Sequence, residues 1–145
     1  MLNNYQKNWQ FLKNRFEAGQ LGHAYLFSGN EKSDKKLFFA KDFIKSVNCL
    51  SSQVLPNGAR KNESNFCENK TWEDKCQNCK AIEKEIFPDL MAVRSQNSES
   101  SLKNEKDMMQ IEIGQIRETQ KFLSYKPYYG NIKTVVVDNA ERMTL

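Results

Sequence analysis

The chain has 145 residues, 39% hydrophobic and 28% charged, ordinary values for a soluble globular domain with a core of its own. Lys+Arg 22 against Asp+Glu 18 leaves +4 with both signs interspersed, so charge alone makes no case for nucleic acid. No apolar run approaches the roughly 20 residues that cross a bilayer, and Met1 to Trp9 lack the apolar stretch of a signal peptide, so a cytoplasmic protein without a membrane partner is expected.

Tyr5, Trp9, Leu12 and Phe16 recur at helical spacing and predict an amphipathic helix over 3–18, ended by Gly19 and Gly22. Ala24-Tyr25-Leu26-Phe27 reads as a short buried strand. Ser28 to Asp34 is a polar loop opening on Gly29. Leu37, Ala40, Phe43, Ile44 and Val47 then predict a helix over 35–48. Strand, glycine, polar loop and helix form the opening of a βαβ unit. Residues 49–79 hold all four cysteines among Pro56, Gly58 and many Asn and Ser, with too few apolar residues for a core. Ala81 to Ile86 suits a helical turn ended by Pro88, and Leu90 to Val93 a strand. Ser95 to Asp107 reads as an exposed loop. Ile113, Ile116, Gln120 and Leu123 predict a helix over 113–124, and Pro127 and Gly130 a turn. Thr134-Val135-Val136-Val137-Asp138 is the clearest strand, apolar without alternation, as expected when both faces are covered.

The expected fold is therefore a three-layer α/β domain with a mainly parallel central sheet. That sheet should contain 24–27, 90–93 and 134–138, joined by right-handed crossovers. The chain stops at Ala140 to Leu145, where Thr144 reads as a helix N-cap, so it is expected to be a fragment of a longer protein.

A working phosphate loop reads G-x-x-x-x-G-K-[ST]. Its glycines let backbone N–H groups curl around phosphates, its lysine reaches the β/γ-phosphates, and its hydroxyl holds Mg²⁺. From Gly29 this chain reads Gly29-Asn30-Glu31-Lys32-Ser33-Asp34-Lys35-Lys36. Gly29 and Lys35 match, but Asp34 stands at the second glycine and Lys36 at the hydroxyl. An ordinary polar strand-to-helix turn is the plainer reading of these eight residues. P-loop enzymes also end a buried strand with a Mg²⁺-ligating Asp, and many follow it with a Glu that polarises water. Here Asp138 ends such a strand and the next residue is Asn139, an amide that cannot act as a base. A core strand that happens to end in Asp is the competing reading.

Cys76-Gln77-Asn78-Cys79 is a C-x-x-C pair, with Cys67 nine residues before it and Cys49 eighteen before that. Four thiolates suit tetrahedral zinc, and four protein ligands leave no open position, so the zinc would be structural. Two alternatives stand beside zinc: a redox C-x-x-C, and a Cys49 that is merely a buried residue at a helix end. The lone His23 reads as the lead-in to a strand.

Several stretches resemble one family. Leu21-Gly22-His23-Ala24-Tyr25-Leu26-Phe27-Ser28-Gly29 is similar to the approach to the P-loop in AAA+ clamp-loader subunits of bacterial DNA polymerase III. Phe87-Pro88-Asp89 resembles the His-Pro-Asp that follows their zinc module, and Ile113-Gly114-Gln115-Ile116-Arg117-Glu118 resembles their Ile-x-x-Ile-Arg helix. Lys126 to Met143 resembles their second nucleotide motif and its lead-in. The resemblance runs over nearly the whole chain. It implies an AAA+ P-loop domain over 1–145 with a zinc module inserted at 49–80. Cys49, Cys67, Cys76 and Cys79 would ligate zinc, with a longer Cys49–Cys67 gap than the family's usual one. Gly29, Lys35 and Asp138 would be relics of a nucleotide site in which ATP binding is doubtful. The implied role is a non-hydrolysing structural subunit that supports ATP-driven loading of the sliding clamp onto DNA. Its partners would be gamma/tau and delta-type subunits, with DNA and the clamp met through the complex. An active gamma/tau-type ATPase is the alternative. A zinc nucleic-acid module is the weaker third, because Lys61, Lys70, Lys75 and Lys80 are matched by Glu63, Glu68, Glu73 and Asp74.

Overall fold

The computed structural model describes residues 2–30, 33–50, 52–54, 60–62, 67, 70–97 and 109–143. The chain divides into two compact units, Met1–Lys84 and Glu85–Leu145.

The first unit is built on two helices, α1 (Leu2–Glu17) and α2 (Ser33–Asn48). The periodic apolar residues pack as their spacing predicts. Leu12 and Phe16 of α1 and Phe39, Ala40, Ile44 and Val47 of α2 are buried. Trp9 sets its ring edge-on to Phe39 and Phe43, with centroids 5.8 and 6.3 Å apart, a favoured aromatic geometry. Gly19 ends α1 at φ 66°, with Gly19 N–H donating to Phe16 O and Gln20 N–H to Arg15 O, the paired bonds of a Schellman cap. A hairpin of β1 (Ser52–Val54) and β2 (Arg60–Asn62) pairs antiparallel. It is followed by the short helix α3 (Gln77–Glu83).

Two expectations are corrected here. Residues 24–27 form no strand. A strand is held by ladder hydrogen bonds, and among the described residues no partner strand pairs with this run. Ring packing holds it instead: Tyr25 meets Phe43 and Phe27 meets Phe39, while Leu26 between them is 82% exposed. The helical turn expected at Ala81 begins four residues earlier, at Gln77, because a cysteine caps it.

In the second unit β3 (Leu90–Val93) and β6 (Thr134–Val137) pair parallel, Leu90 opposite Thr134 and Val93 opposite Val137. The helix α4 (Ile113–Ser124) lies against both strands. It starts on a reciprocal capping box: the Glu112 side chain takes the Gln115 N–H, and Glu112 N–H donates to Gln115 Oε1. A second antiparallel pair, β4 (Gln96–Asn97) with β5 (Met109–Gln110), opens the segment expected to be a loop; 98–108 lie outside the described residues. The fold described is thus mixed α/β with a two-stranded parallel sheet, not one sheet holding all three predicted strands.

Candidate functional site

The four cysteines converge. Cys49 lies one residue beyond α2, Cys76 caps α3, Cys79 sits in its first turn, and Cys67 comes from the segment between. Their sulfurs all lie within 4.8 Å of one another. Cys49 Sγ is 3.5 Å from Cys67 Sγ and 3.8 Å from Cys76 Sγ. These are free thiols, since a disulfide holds its sulfurs at about 2.05 Å. A regular tetrahedron with Zn–S near 2.3 Å sets its sulfurs about 3.8 Å apart, so the cluster has the size and donor set for a metal such as zinc. Backbone donors support it: Cys76 N–H points at Cys67 Sγ (3.4 Å) and Cys79 N–H at Cys76 Sγ (3.5 Å). The hydrogen bond with Cys49, followed by burial, pushes the Cys79 thiol far above its ordinary value, and burial pushes Cys67 up as well. Gathered thiolates without a cation would repel, and a divalent ion is what such a set accommodates.

The cluster also joins α2 to α3. Asn78 donates to Asn48 O at 2.9 Å, and Lys45 bridges Asp42 at 2.7 Å and Glu83 at 3.9 Å. Trp72, 43% exposed, lies beneath the Lys75 and Lys84 ammonium groups, 5.8 and 5.4 Å from its ring centre. His23 is exposed and stands outside the cysteine group.

The phosphate-loop residues lie at the start of α2. Gly29 takes φ 146°, a conformation that strains any residue with a Cβ although nothing lies within 4 Å of one. Positions 31 and 32 lie outside the described residues. Lys35 and Asp34 are exposed in the first turn, where Asp34 complements the helix dipole. Lys36 turns back and donates to Gly29 O at 3.5 Å. Gly29 should tolerate substitution poorly: Gly29→Ala is expected to cost about 1 kcal/mol in urea unfolding read at Trp9, through backbone strain alone.

Asp138 follows β6 in the second unit, and its N–H donates to Val93 O at 2.9 Å. Asn139 adopts the left-handed conformation, φ 54° and ψ 55°. One residue beyond β3, Arg94 makes a two-pronged pair with Glu85, both N–H···O distances 2.7 Å. Those hydrogen bonds hold the guanidinium above its ordinary value against burial; the charges of Glu85 and then Asp138 add to the effect.

No spacing or periodicity singles out Asp89. It is fully buried. Its carboxylate accepts the N–H groups of Tyr128 (2.6 Å), Tyr129 (2.6 Å) and Gly130 (2.7 Å), while its carbonyl takes Thr134 N–H at 2.8 Å. Burial alone would raise the carboxyl; the three amides, led by Gly130, and the Lys133 charge outweigh it and hold the group below the usual carboxylate range. The turn between α4 and β6 is thus fastened to the start of β3. Asp89 entered the reading only through the resemblance of Phe87-Pro88-Asp89 to the family's His-Pro-Asp, since its partners lie 39 to 41 residues away.

Among the described residues no helix is long and apolar enough to cross a membrane. The family described as DNA polymerase III, delta subunit matches residues 5–145. The chain is 30% identical over 138 residues to DNA polymerase III subunit delta' of Bacillus subtilis (strain 168), covering 93% of this chain and 32% of that protein. It is 27% identical over 134 residues to subunit tau/gamma of Haemophilus influenzae, covering 92% of this chain and 15% of that protein. The chain therefore spans about a third or less of the relatives it matches. No solved structure gives a significant match. A family match over almost the entire length places the chain in the DNA polymerase III delta-subunit family.

Proposed function

We propose that this chain is the N-terminal AAA+ P-loop-like domain of a non-hydrolysing, delta'-type clamp-loader subunit, with a zinc module inserted at 49–80. It would work in the cytoplasm beside gamma/tau and delta-type subunits, meeting DNA and the sliding clamp through the complex. The observation that carries the reading is the state of the phosphate loop. Where Mg²⁺ needs a hydroxyl, Lys36 presents an ammonium that donates to the Gly29 carbonyl. Asp34 adds a carboxylate where phosphate charge would approach. Asn139 supplies an amide where hydrolysis needs a carboxylate. Gly29, Lys35 and Asp138 are then the surviving parts of a nucleotide site. Cys49, Cys67, Cys76 and Cys79 would hold a structural zinc, which supplies cross-linking to a segment with few apolar residues and no chemistry of its own.

A gamma/tau-type ATPase is the competing reading, favoured by the 27% identity to a tau/gamma subunit. A steady-state assay with ATP and Mg²⁺ separates the two. The unmodified chain is expected to show no turnover, because lost metal and base groups each commonly remove about 10² to 10⁴ in rate. Turnover that Lys35→Ala abolishes would overturn the proposal in favour of the ATPase.

A further inference from the structure

Parallel neighbours in register put paired side chains on the same face of a sheet, with backbones about 4.8 Å apart. β3 and β6 are paired through Val93 and Val137, and the Asp138 N–H bond to Val93 O carries the ladder one step further. Arg94 and Asp138 are the next pair in that register. They lie at the C-terminal edge of the parallel strands, the edge at which open α/β sheets bind ligands. Arg94 is not free to swing away. Glu85 grips both of its terminal nitrogens at 2.7 Å, and its carbonyl is fixed by Gln115 Nε2 at 2.9 Å. Glu85 itself holds φ 59°, a conformation unfavourable to a residue with a side chain, which the two-pronged pair offsets.

We infer that Arg94, held by Glu85 beside Asp138, is a fixed positive charge that disfavours a divalent metal at that carboxylate. The inference rests on reading Asp138 as the relic of a metal-binding position, and it adds a cause of inactivity separate from Lys36 and Asn139. A metal approaching Asp138 meets the guanidinium of the Arg94–Glu85 pair, whose carboxylate offsets part of the repulsion while holding the positive group in place. Arg94 acts through electrostatics and is a positioning residue, not a catalytic one. Nothing in its sequence context singled it out, because the pairing with Asp138 exists only once the two strands are in register.

The test is Mn²⁺ binding, read by electron paramagnetic resonance as the loss of the free-ion signal, on the full chain without nucleotide and with its cysteines saturated by Zn²⁺. Removing one positive charge beside the site should tighten Mn²⁺ binding by about tenfold after salt screening, so Arg94→Gln should show that gain. Arg94→Lys keeps the charge and should bind no better than the unmodified chain, which separates charge from packing. In the Arg94→Gln background Asp138→Asn should cancel the gain, assigning it to Asp138 rather than to the released Glu85. Equal Mn²⁺ affinity in Arg94→Gln and the unmodified chain would overturn the inference, as would a gain that survives Asp138→Asn. Neither result depends on ATP turnover, so the inference and the proposed function can fail separately.

Discussion

Asp89→Ala is expected to destabilise the Glu85–Leu145 unit by about 3–5 kcal/mol. The substitution removes one buried carboxylate and with it the acceptor of three short amide bonds. Each charge-assisted bond contributes about 1.5–3 kcal/mol net, and donors left without an acceptor add their own penalty. The turn at 128–130 is partly exposed, so water will recover some of that loss. Asp89→Asn should cost nearly as much, since its NH₂ group faces N–H donors and its charge is gone. The measurement is hydrogen exchange at the β3 and β6 amides, backed by urea unfolding followed by circular dichroism. A cost below about 1 kcal/mol for both substitutions would show that the amides are satisfied some other way.

The same carboxylate sets a pH dependence. Its folded value lies below the ordinary one. The unfolded chain therefore binds the proton more readily, and this contribution to stability rises with pH. It is fully present above the unfolded value of about 3.9 and is lost as pH falls from there through the folded value. Glu83 is also held low, by Lys75 and Lys45 working against burial, but it belongs to the first unit. The exchange measurement at β3 and β6 separates the two: the acid loss at those amides should be absent in Asp89→Asn.

The second large effect is expected at the cysteines. Cys79→Ser should weaken zinc binding by about a hundredfold or more, near 3 kcal/mol, because one of four thiolates is replaced by a poor ligand. Competition with a chromophoric chelator reads the affinity directly. Metal loss should also loosen residues 70–84, lifting Lys75 and Lys84 from the Trp72 ring and shifting its emission. The exchange rates of β3 and β6 should not move, since those strands belong to the other unit. Stoichiometric zinc at unchanged affinity in Cys79→Ser would remove the case for a four-cysteine site.

Much of this was legible in the residues, and the limits have physical causes. Helical periodicity located α1, α2 and α4 to within a residue or two, because each carries apolar residues at helical spacing; those of α1 and α2 are largely buried, whereas no residue of α4 is. The apolar run Val135 to Val137 marked β6, and Leu90 to Val93 marked β3, correctly. Tyr25 to Phe27 looked the same in sequence, but a strand also needs a partner, which an apolar run does not specify. The start of α3 was hidden because its cap is a thiol, outside the usual Ser, Thr, Asp and Asn signals. Cys76 and Cys79 declared themselves by spacing. Cys49 is brought to them by the end of α2, a tertiary relation that spacing leaves open. Asp89 and Arg94 matter through partners in distant segments, and no local pattern announces such contacts.

The left-handed backbone at Asn139 has a consequence for history. Asparagine is among the few residues that adopt φ 54° cheaply; a glutamate there would cost about 1 kcal/mol unless something holds it, as Arg94 holds Glu85. On the proposed reading of a lost nucleotide site, a return to a water-polarising acid at 139 would bear this backbone cost, so each accommodation of the bend to an amide makes that return less favourable.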